Sequence, residues 1–315
     1  MKLLAALVFS FLAALLLGWS APATAGTLLA LCQGAAEVDV IDTATGAVST
    51  RVKVDKVPAG IAISSDGTAA YITHPDIGLL TRLDVKTWTV AGTAHIGGQP
   101  FGIVAAPDGG VLYVSDWSGD RILRIDARSL AVTGTLAVGR SPAHLAIDPD
   151  GRTLYSADRE SDEVSTINAL DFTRTAVIPV GRAPYALDAS HPELVAVADV
   201  RSGDIALITK EKHDIKRIAG MKMPYGVAFV PGRGLLLATD QQAGMLDVID
   251  IATETIIHRI RLGGSPEGVV VDAAAGRAYV AEWFANRVTD LNLDDFSIAA
   301  RIPVCDGPRV MALVP

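Results

Sequence analysis

Seven prolines recur along the chain at a nearly constant interval, and this period constrains the fold more than any other feature of the sequence. Successive prolines are separated by 42, 42, 42, 40, 42 and 42 residues. They are Pro58, Pro100, Pro142, Pro184, Pro224, Pro266 and Pro308. Because a fixed period of roughly this length is typical of proteins built from structural repeats, the whole chain must be interpreted as seven copies of one unit.

The unit that begins at Pro142 shows what each repeat contains. Its four short runs of strand-forming residues are Ala143–Ile147, Thr153–Ser156, Glu163–Ile167 and Arg174–Val180. Turn-forming residues separate the runs, as in the stretch Asp148-Pro149-Asp150-Gly151. Other columns keep the same register, including Tyr71, Tyr113, Tyr155 and Tyr279, each 13 residues after its proline. The pattern predicts an all-β, seven-bladed β-propeller with four-stranded antiparallel blades.

The two ends of the chain are predicted to share the closing blade. Pro308–Pro315 is long enough for one strand, and the three missing strands match Leu29–Cys32, Val38–Asp42 and Ala47–Val54. Pairing the two ends would cover strand edges that are otherwise open to other chains. Cys32 and Cys305, the two cysteines, both fall beside this blade, which predicts a disulfide. Two unpaired thiols or a pair of soft-metal ligands are the alternatives.

Several runs resemble the YVTN family of β-propeller proteins. They are Leu112-Tyr113-Val114-Ser115-Asp116, Ala278-Tyr279-Val280-Ala281-Glu282, Val40-Ile41-Asp42-Thr43-Ala44-Thr45-Gly46 and Val248-Ile249-Asp250-Ile251-Ala252-Thr253. The resemblance extends over essentially all of the chain after residue 25 and implies the seven-bladed fold. The resemblance says little about function, since the family includes binding, surface and redox-associated proteins. His74 and Cys32 depart from the acid or amide column, so no family role is transferred to them.

Residues 1–25 have the composition of a secretory signal peptide. Lys2 precedes the apolar run Leu3–Trp19, and Ala23-Thr24-Ala25 offers a cleavage site. We expect a periplasmic or secreted monomer with one propeller domain over residues 26–315 and no membrane span in its mature form. A membrane anchor is the alternative, for which the apolar run is short. Removing Lys2 with the signal takes the net charge from −8 to −9, which disfavours binding to nucleic acid or anionic lipid.

Two columns of residues are predicted to lie at one mouth of the central channel, because successive strands of a blade run in opposite directions. One column follows the proline, and the other ends the second strand of each unit. The predicted binding ring combines both with their neighbours and comprises His74, Asp116, Trp117, His144, Asp158, Tyr185, Asp199, Tyr225, Asp240, Glu267, Glu282, Trp283 and Arg309. Variation at one mouth of an otherwise uniform ring is typical of a binding site.

The acids of this ring also have a structural interpretation. An aspartate after a strand commonly accepts hydrogen bonds from backbone N–H groups of the following turn, and a repeat copies that role. Departures from the repeat carry more information. His144 stands where four other units have glycine, and the position after the proline changes to Tyr185, Tyr225, Glu267 and Arg309.

A divalent metal is the less favoured alternative at this mouth. His74, Asp116, His144 and Asp158 would offer two imidazoles and two carboxylates, a set that suits a transition metal. No cofactor is predicted, because the sequence has no Cys-x-x-Cys-His haem motif, no Gly-x-Ser-x-Gly nucleophile motif and no phosphate-binding glycine loop leading into a helix.

The sequence favours an exported propeller without chemistry of its own, which binds a small polar ligand or a protein partner. Similar propellers accompany exported redox systems, including those that use pyrroloquinoline quinone, so the resemblance implies a place beside such a system. The first alternative is a metal-assisted hydrolase or lactonase with His144 or His74 as general base. The second is a non-catalytic subunit of a periplasmic, quinone-dependent dehydrogenase.

Overall fold

The structure, a computed structural model, describes residues 26–315, and these residues form seven four-stranded antiparallel sheets. The predicted signal peptide lies outside the described residues. Of the strands, numbered in chain order, the closing blade contains β1 (Thr27–Cys32), β2 (Glu37–Asp42), β3 (Ala47–Lys53) and β28 (Pro308–Val314). Blade 1 contains β4 (Gly60–Ile63), β5 (Ala69–His74), β6 (Leu79–Asp84) and β7 (Thr89–His95). Blade 2 contains β8 (Pro100–Ala105), β9 (Val111–Asp116), β10 (Arg121–Asp126) and β11 (Val132–Ala137).

The remaining four blades repeat this plan. Blade 3 contains β12 (Pro142–Ile147), β13 (Thr153–Asp158), β14 (Glu163–Asn168) and β15 (Thr173–Pro179). Blade 4 contains β16 (Pro184–Asp188), β17 (Leu194–Asp199), β18 (Asp204–Thr209) and β19 (Ile215–Ala219). Blade 5 contains β20 (Pro224–Val230), β21 (Leu235–Asp240), β22 (Met245–Asp250) and β23 (Thr255–Arg261). Blade 6 contains β24 (Pro266–Asp272), β25 (Arg277–Glu282), β26 (Arg287–Asn292) and β27 (Ile298–Pro303).

The predicted closure of the ring is confirmed. β1 pairs antiparallel with β28, with Leu29 opposite Ala312, so the closing blade takes its innermost strand from the C-terminal end of the chain. Cys32 and Cys305 form a disulfide with 5.8 Å between their Cα atoms, and the bond links β1 to the loop that leads into β28. The predicted disulfide is therefore confirmed as well.

The repeated columns have identifiable physical roles. Six of the seven prolines begin an innermost strand, while Pro58 lies two residues before β4. The column of tyrosines is buried between blades, where Tyr113 donates a hydrogen bond to the carbonyl oxygen of Ala169 in the next blade at 2.8 Å. Alternating residues of each strand pack against the neighbouring sheet, which places the core between the blades.

Regular structure outside the strands is brief. Two single-turn 3-10 helices, Pro75–Ile77 and Trp283–Ala285, occur at equivalent places in blades 1 and 6. Within residues 26–315, no helix has the length and apolar character that crossing a membrane requires.

Candidate functional site

Neighbouring innermost strands approach each other closely where a hydroxyl group links two blades. Thr239 donates from Oγ1 to the carbonyl oxygen of Glu267 in the next blade at 2.6 Å, and accepts from the Gly226 amide at 2.7 Å. Thr73 and Ser115 make the equivalent bonds in blades 1 and 2. A Cβ atom at Gly226 would lie 2.3 Å from the Glu267 carbonyl oxygen, so only glycine fits there.

Where the hydroxyl is missing, the repeat is broken. Blades 3, 4 and the closing blade carry Ala157, Ala198 and Leu31 in place of the hydroxyl residue. In the same blades a side chain replaces the glycine: His144, Ala186 and Val310. Blade 6 is intermediate, since it keeps Gly268 without a hydroxyl partner. The exchange gives the His144 imidazole its place at one end of the channel.

Six blades each contribute one side chain to a group at this end, which we call the mouth cluster. Its members are Phe101, His144, Tyr185, Tyr225, Glu267 and Arg309. The rings of Tyr185 and Tyr225 have their centroids 4.3 Å apart, and those of His144 and Tyr185 are 4.8 Å apart. Aromatic contacts of this kind stabilise a pair beyond the area that it buries, so the cluster is a packed unit.

Arg309 is the central cation of the mouth cluster. Its Nη2 donates to the Tyr185 hydroxyl at 2.7 Å, and its Nη1 donates to Gln33 Oε1 at 3.2 Å. The guanidinium lies over the rings of Phe101 and Trp283, 5.4 and 5.5 Å from their centroids. Such cation–π contacts gain strength where water is excluded. Arg309 is thus held in one orientation by partners from four blades.

Glu267 is the carboxylate that faces this cation. Its Oε2 lies 3.4 Å from Arg309 Nε, and its Oε1 accepts a hydrogen bond from Gln241 Nε2 at 2.6 Å. Burial raises the pKa of Glu267 to about 7, although the charge of Arg309 and the bond from Gln241 oppose the shift. The Glu267 side chain therefore changes charge near neutral pH.

His144 and Tyr185 are electrically neutral over the working range of pH. Burial, with a smaller contribution from the charge of Arg309, lowers the pKa of His144 to about 3. Burial also raises the pKa of Tyr185 well above its usual value. The site thus combines one permanent cation, one carboxyl group with a raised pKa and two neutral rings.

Two adjoining cavities lie beneath the mouth cluster. The outer cavity, of about 40 Å³, is lined by His144, Tyr185, Tyr225, Glu267 and Arg309 together with backbone and small residues. The inner cavity, of about 160 Å³, is lined by all seven innermost strands and exposes polar and apolar atoms about equally. His144, Gly226 and Val310 line both. The two cavities therefore adjoin at these residues.

The second predicted column does not line either cavity. Asp116, Asp158 and Asp199 are fully buried. Each accepts a hydrogen bond from a backbone N–H in the loop that leads into its blade. The donor is Gln99 for Asp116, Gly139 for Asp158 and Gly181 for Asp199.

The other three members are buried in the same way. Asp240 accepts from the amides of Lys222 and Met223, Glu282 pairs with Arg287 at 2.7 Å, and His74 contacts the Lys56 carbonyl oxygen and Thr81. Their contacts match the structural interpretation of this column. Of the two predicted columns, the structure therefore brings together at the mouth only the one that follows the prolines.

The two predicted tryptophans flank the mouth cluster. Trp117 packs on Phe101 with 5.1 Å between ring centroids, and the Arg159 guanidinium lies over its other side at 5.7 Å. Trp283 covers Arg309. Phe101, Gln33 and Gln241 belong to the site and were absent from the predicted ring. Phe101 varies in the same column as Tyr185, and that signal was available in the sequence.

The four residues considered as metal ligands are divided between the two columns. His144 lies in the mouth cluster, whereas His74, Asp116 and Asp158 bind the loops. In the part of the chain that the structure describes, no three His, Cys, Asp or Glu side chains are grouped as a metal site requires. The geometry offers no support for the metal alternative.

Comparisons with known proteins agree with the fold. A family model described as YNCE-like beta-propeller matches residues 2–173, more than half of the chain. No curated protein matches the sequence. Among solved structures, hydrazine synthase of Kuenenia stuttgartiensis superposes with a TM-score of 0.74 at 18% identity, covering 82% of this chain and 90% of that one.

Two further structures are similar in shape. Dihydro-heme d1 dehydrogenase NirN, in complex with DHE, superposes with a TM-score of 0.72 at 16% identity, covering 91% of this chain and 74% of that one. A functionally unknown protein from Desulfotomaculum acetoxidans DSM 771 gives a TM-score of 0.79 at 10% identity, covering 91% and 98%. Identities this low reflect a shared fold.

Proposed function

The chain belongs to the YNCE-like β-propeller family, and from this we propose that it is an exported, non-catalytic binding protein that uses the mouth cluster to bind a ligand or partner. Such a protein would act beside a periplasmic redox system. The observation that carries the proposal is the break in the repeat: six blades place five kinds of side chain at one mouth, and a largely buried arginine is one of them. A structural plug would need no such diversity, since Ala59 and Ala143 occupy the position directly after the proline in blades 1 and 3.

Two observations support the cellular setting. The disulfide between Cys32 and Cys305 is typical of proteins that leave the cytoplasm. Two of the structures with a similar fold are named as a synthase of hydrazine and a dehydrogenase, which favours a redox context. Cleavage of the predicted signal should leave Gly26 as the first residue. Sequencing the N-terminus of the exported protein tests this, and an intact Met1 would contradict export by cleavage.

The binding role is tested by retention of a ligand or partner on the native, processed protein. Native mass spectrometry and affinity capture from a periplasmic extract should give a bound species whose retention falls at least about tenfold in Trp283→Ala, because Trp283 covers Arg309 at the exposed side of the site. Phe284→Ala is the matched control, since Phe284 is adjacent and exposed but contributes nothing to the mouth cluster. Equal retention by both variants and the wild type would contradict a role for the mouth.

The same preparation separates the alternatives. A hydrolase would show stoichiometric metal and turnover of a lactone or ester panel, lost in His144→Ala. A dehydrogenase subunit would co-purify with a catalytic or cytochrome partner. The proposal predicts neither metal-dependent turnover nor any activity that depends on His144.

A further inference from the structure

Five cations lie in neighbouring loops at the end of the ring that carries the mouth cluster, and we call them the basic arc. The residue two places before the proline is basic in three consecutive blades, as Arg140, Arg182 and Lys222, and all three are exposed. The loops that follow β13 and β17 add Arg159 and Arg201. Since the whole chain has a net charge of −8, this local concentration of positive charge runs against the overall composition.

Hydrogen bonds hold the four arginines of the basic arc in defined orientations. Arg201 donates from Nη1 and Nη2 to the two carboxylate oxygens of Glu160, at 3.0 and 3.1 Å, and Arg159 Nη1 donates to Glu160 Oε1 at 2.6 Å. Arg140 donates to the Glu160 carbonyl oxygen. Arg182 donates to the Arg201 carbonyl oxygen at 3.2 Å. Side chains that are already ordered lose less conformational freedom when a partner binds, so the arc is preorganised.

The positive charge of the basic arc is only partly balanced within the chain. Among the described residues, the only carboxylate in salt bridges with the arc is that of Glu160, which pairs with Arg159 and Arg201. The three other cations, those two places before the prolines, have no carboxylate partner in that part of the chain. The two arginines among them each donate one hydrogen bond, to a carbonyl oxygen. Adjacent like charges repel, and a partner that brings carboxylates removes this cost.

The basic arc is continuous with the mouth cluster. The Arg159 guanidinium lies over the Trp117 ring at 5.7 Å, and Trp117 packs on Phe101, a member of the mouth cluster, with 5.1 Å between ring centroids. Arg309 in turn lies over the Phe101 ring at 5.4 Å. A partner bound to the arc would therefore lie beside the mouth. Tryptophan and arginine are also among the residues that contribute most to binding at protein interfaces.

We propose that the basic arc docks an acidic segment of a partner protein, whose carboxylates pair with Arg140, Arg182 and Lys222. This inference rests on the proposed binding function and names the chemistry of the partner. The planar guanidinium groups of the two arginines match a carboxylate through two parallel hydrogen bonds. With its acidic segment on the arc, the partner covers the edge of the mouth beside Trp117.

The distribution of charge favours a protein over a nucleic acid or an anionic membrane. Glu160 and Asp162 stand among the cations of the arc, and the chain as a whole is acidic. A nucleic acid or an anionic lipid surface carries closely spaced negative charges that would meet these carboxylates. A polypeptide can instead place a carboxylate against each free cation and a neutral residue against each acid.

Fluorescence anisotropy with a labelled peptide of alternating glutamate and serine tests the inference on the processed, oxidised protein. The wild type should bind this peptide at about 20 mM salt, and its affinity should fall at least about fivefold at about 200 mM salt, because salt screens exposed charges. The same peptide with lysine in place of glutamate should not bind. An oligothymidine and vesicles containing phosphatidylserine are the competing probes, and each should bind more weakly than the peptide at an equal concentration of negative charge.

A triple variant removes the three cations that have no carboxylate partner: Arg140→Gln, Arg182→Gln and Lys222→Gln. It should bind the glutamate peptide at least about tenfold more weakly than the wild type, as expected for the loss of three exposed ion pairs. Replacing the same three residues by glutamate should transfer binding from the glutamate peptide to the lysine peptide, a gain that loss of folding cannot produce.

The matched control removes two arginines and one lysine from the opposite end of the ring: Lys86→Gln, Arg128→Gln and Arg152→Gln. All three residues are exposed and lie in turns at the far ends of the strands. A strand of about six residues, roughly 20 Å, separates the two ends. At about 100 mM salt the screening length is about 10 Å, so the control should bind the glutamate peptide within about twofold of the wild type.

The inference is overturned if the wild type does not bind the glutamate peptide at low salt, if the two glutamine triple variants lose affinity equally, or if the oligothymidine or the vesicles bind more tightly than the peptide. None of these outcomes affects retention of a native species that depends on Trp283. The docking inference and the broader binding function of the mouth can therefore fail separately.

Discussion

Arg309 in the closing blade donates a hydrogen bond to the hydroxyl of Tyr185 in blade 4 at 2.7 Å, so one contact crosses the central channel from side to side. The two blades are separated around the ring by blades 5 and 6 in one direction and by blades 1, 2 and 3 in the other. The contact connects β28, the strand that closes the ring, to blade 4 on the opposite side of the channel. Assembly of the mouth cluster therefore depends on correct closure.

The disulfide should contribute to stability through this closure. Replacing both Cys32 and Cys305 by alanine should lower the free energy of unfolding by about 2–4 kcal/mol, because the bond restricts a very long loop in the unfolded chain. Urea unfolding of the oxidised wild type and the double variant measures the difference, and thiol titration of the denatured wild type without reductant should find no free thiol. Equal unfolding midpoints would contradict the prediction.

Asp158 and His144 should behave differently when each is replaced by alanine. Asp158→Ala removes the acceptor for the Gly139 amide and for the hydroxyls of Ser156 and Ser165, which should cost about 1–3 kcal/mol of stability. His144→Ala should cost less than about 1 kcal/mol, since four other blades carry glycine in this column. Chemical unfolding of both variants checks this. A larger loss for His144→Ala would identify the imidazole as structural.

The stability of the protein should fall with rising pH because of Asp199. Burial raises the pKa of Asp199 to about 8, so the folded state retains a proton that the unfolded state releases near pH 4. The free energy of unfolding therefore declines between about pH 4 and pH 8. Asp199→Asn should exceed the wild type in stability by at least about 1 kcal/mol at pH 8 and match it at about pH 4.

Thermal unfolding at the two pH values measures this effect. The matched control is Asp214→Asn, because Asp214 is exposed and its carboxylate has no hydrogen-bond partner among the described residues. A constant difference between Asp199→Asn and the wild type at both pH values would show that the carboxyl group does not titrate in this range.

Gly226→Ala should destabilise the ring. The added Cβ would lie 2.3 Å from the Glu267 carbonyl oxygen, so β20 and β24 must separate or the Thr239 bridge must break. We expect a loss of about 1–3 kcal/mol, as for other overpacked sites. Ala186→Gly in blade 4 is the matched control and should cost less than about 1 kcal/mol. Comparable losses in the two variants would mean that spacing between the strands is not the cause.

Much of the fold could be predicted from sequence because each unit repeats the same order of proline, strand-forming runs and turns. Proline spacing predicted the number of blades, and the incomplete unit at Pro308 predicted a blade shared between the chain ends, with Cys32 and Cys305 beside it. The family is also confirmed. These features depend on local patterning and on the count of units, both of which a single sequence contains.

The site could be predicted only in part. The positions that follow the prolines were correctly singled out as variable, and the structure groups Tyr185 with Arg309. Asp116 binds the backbone N–H of Gln99, in the loop from the preceding blade, instead of facing the channel. The order of the strands does not predict the position of that N–H group. The link between Gly226 and Thr239 was present in the sequence, but its meaning needs the register between neighbouring blades.

The position of β28 has a consequence for biosynthesis. Because the innermost strand of the closing blade is made after the other six blades, Arg309 reaches Tyr185 only when the rest of the ring already exists. A nascent or truncated polypeptide that ends before Arg309 would lack its guanidinium. The strand that closes the ring therefore also completes the mouth cluster.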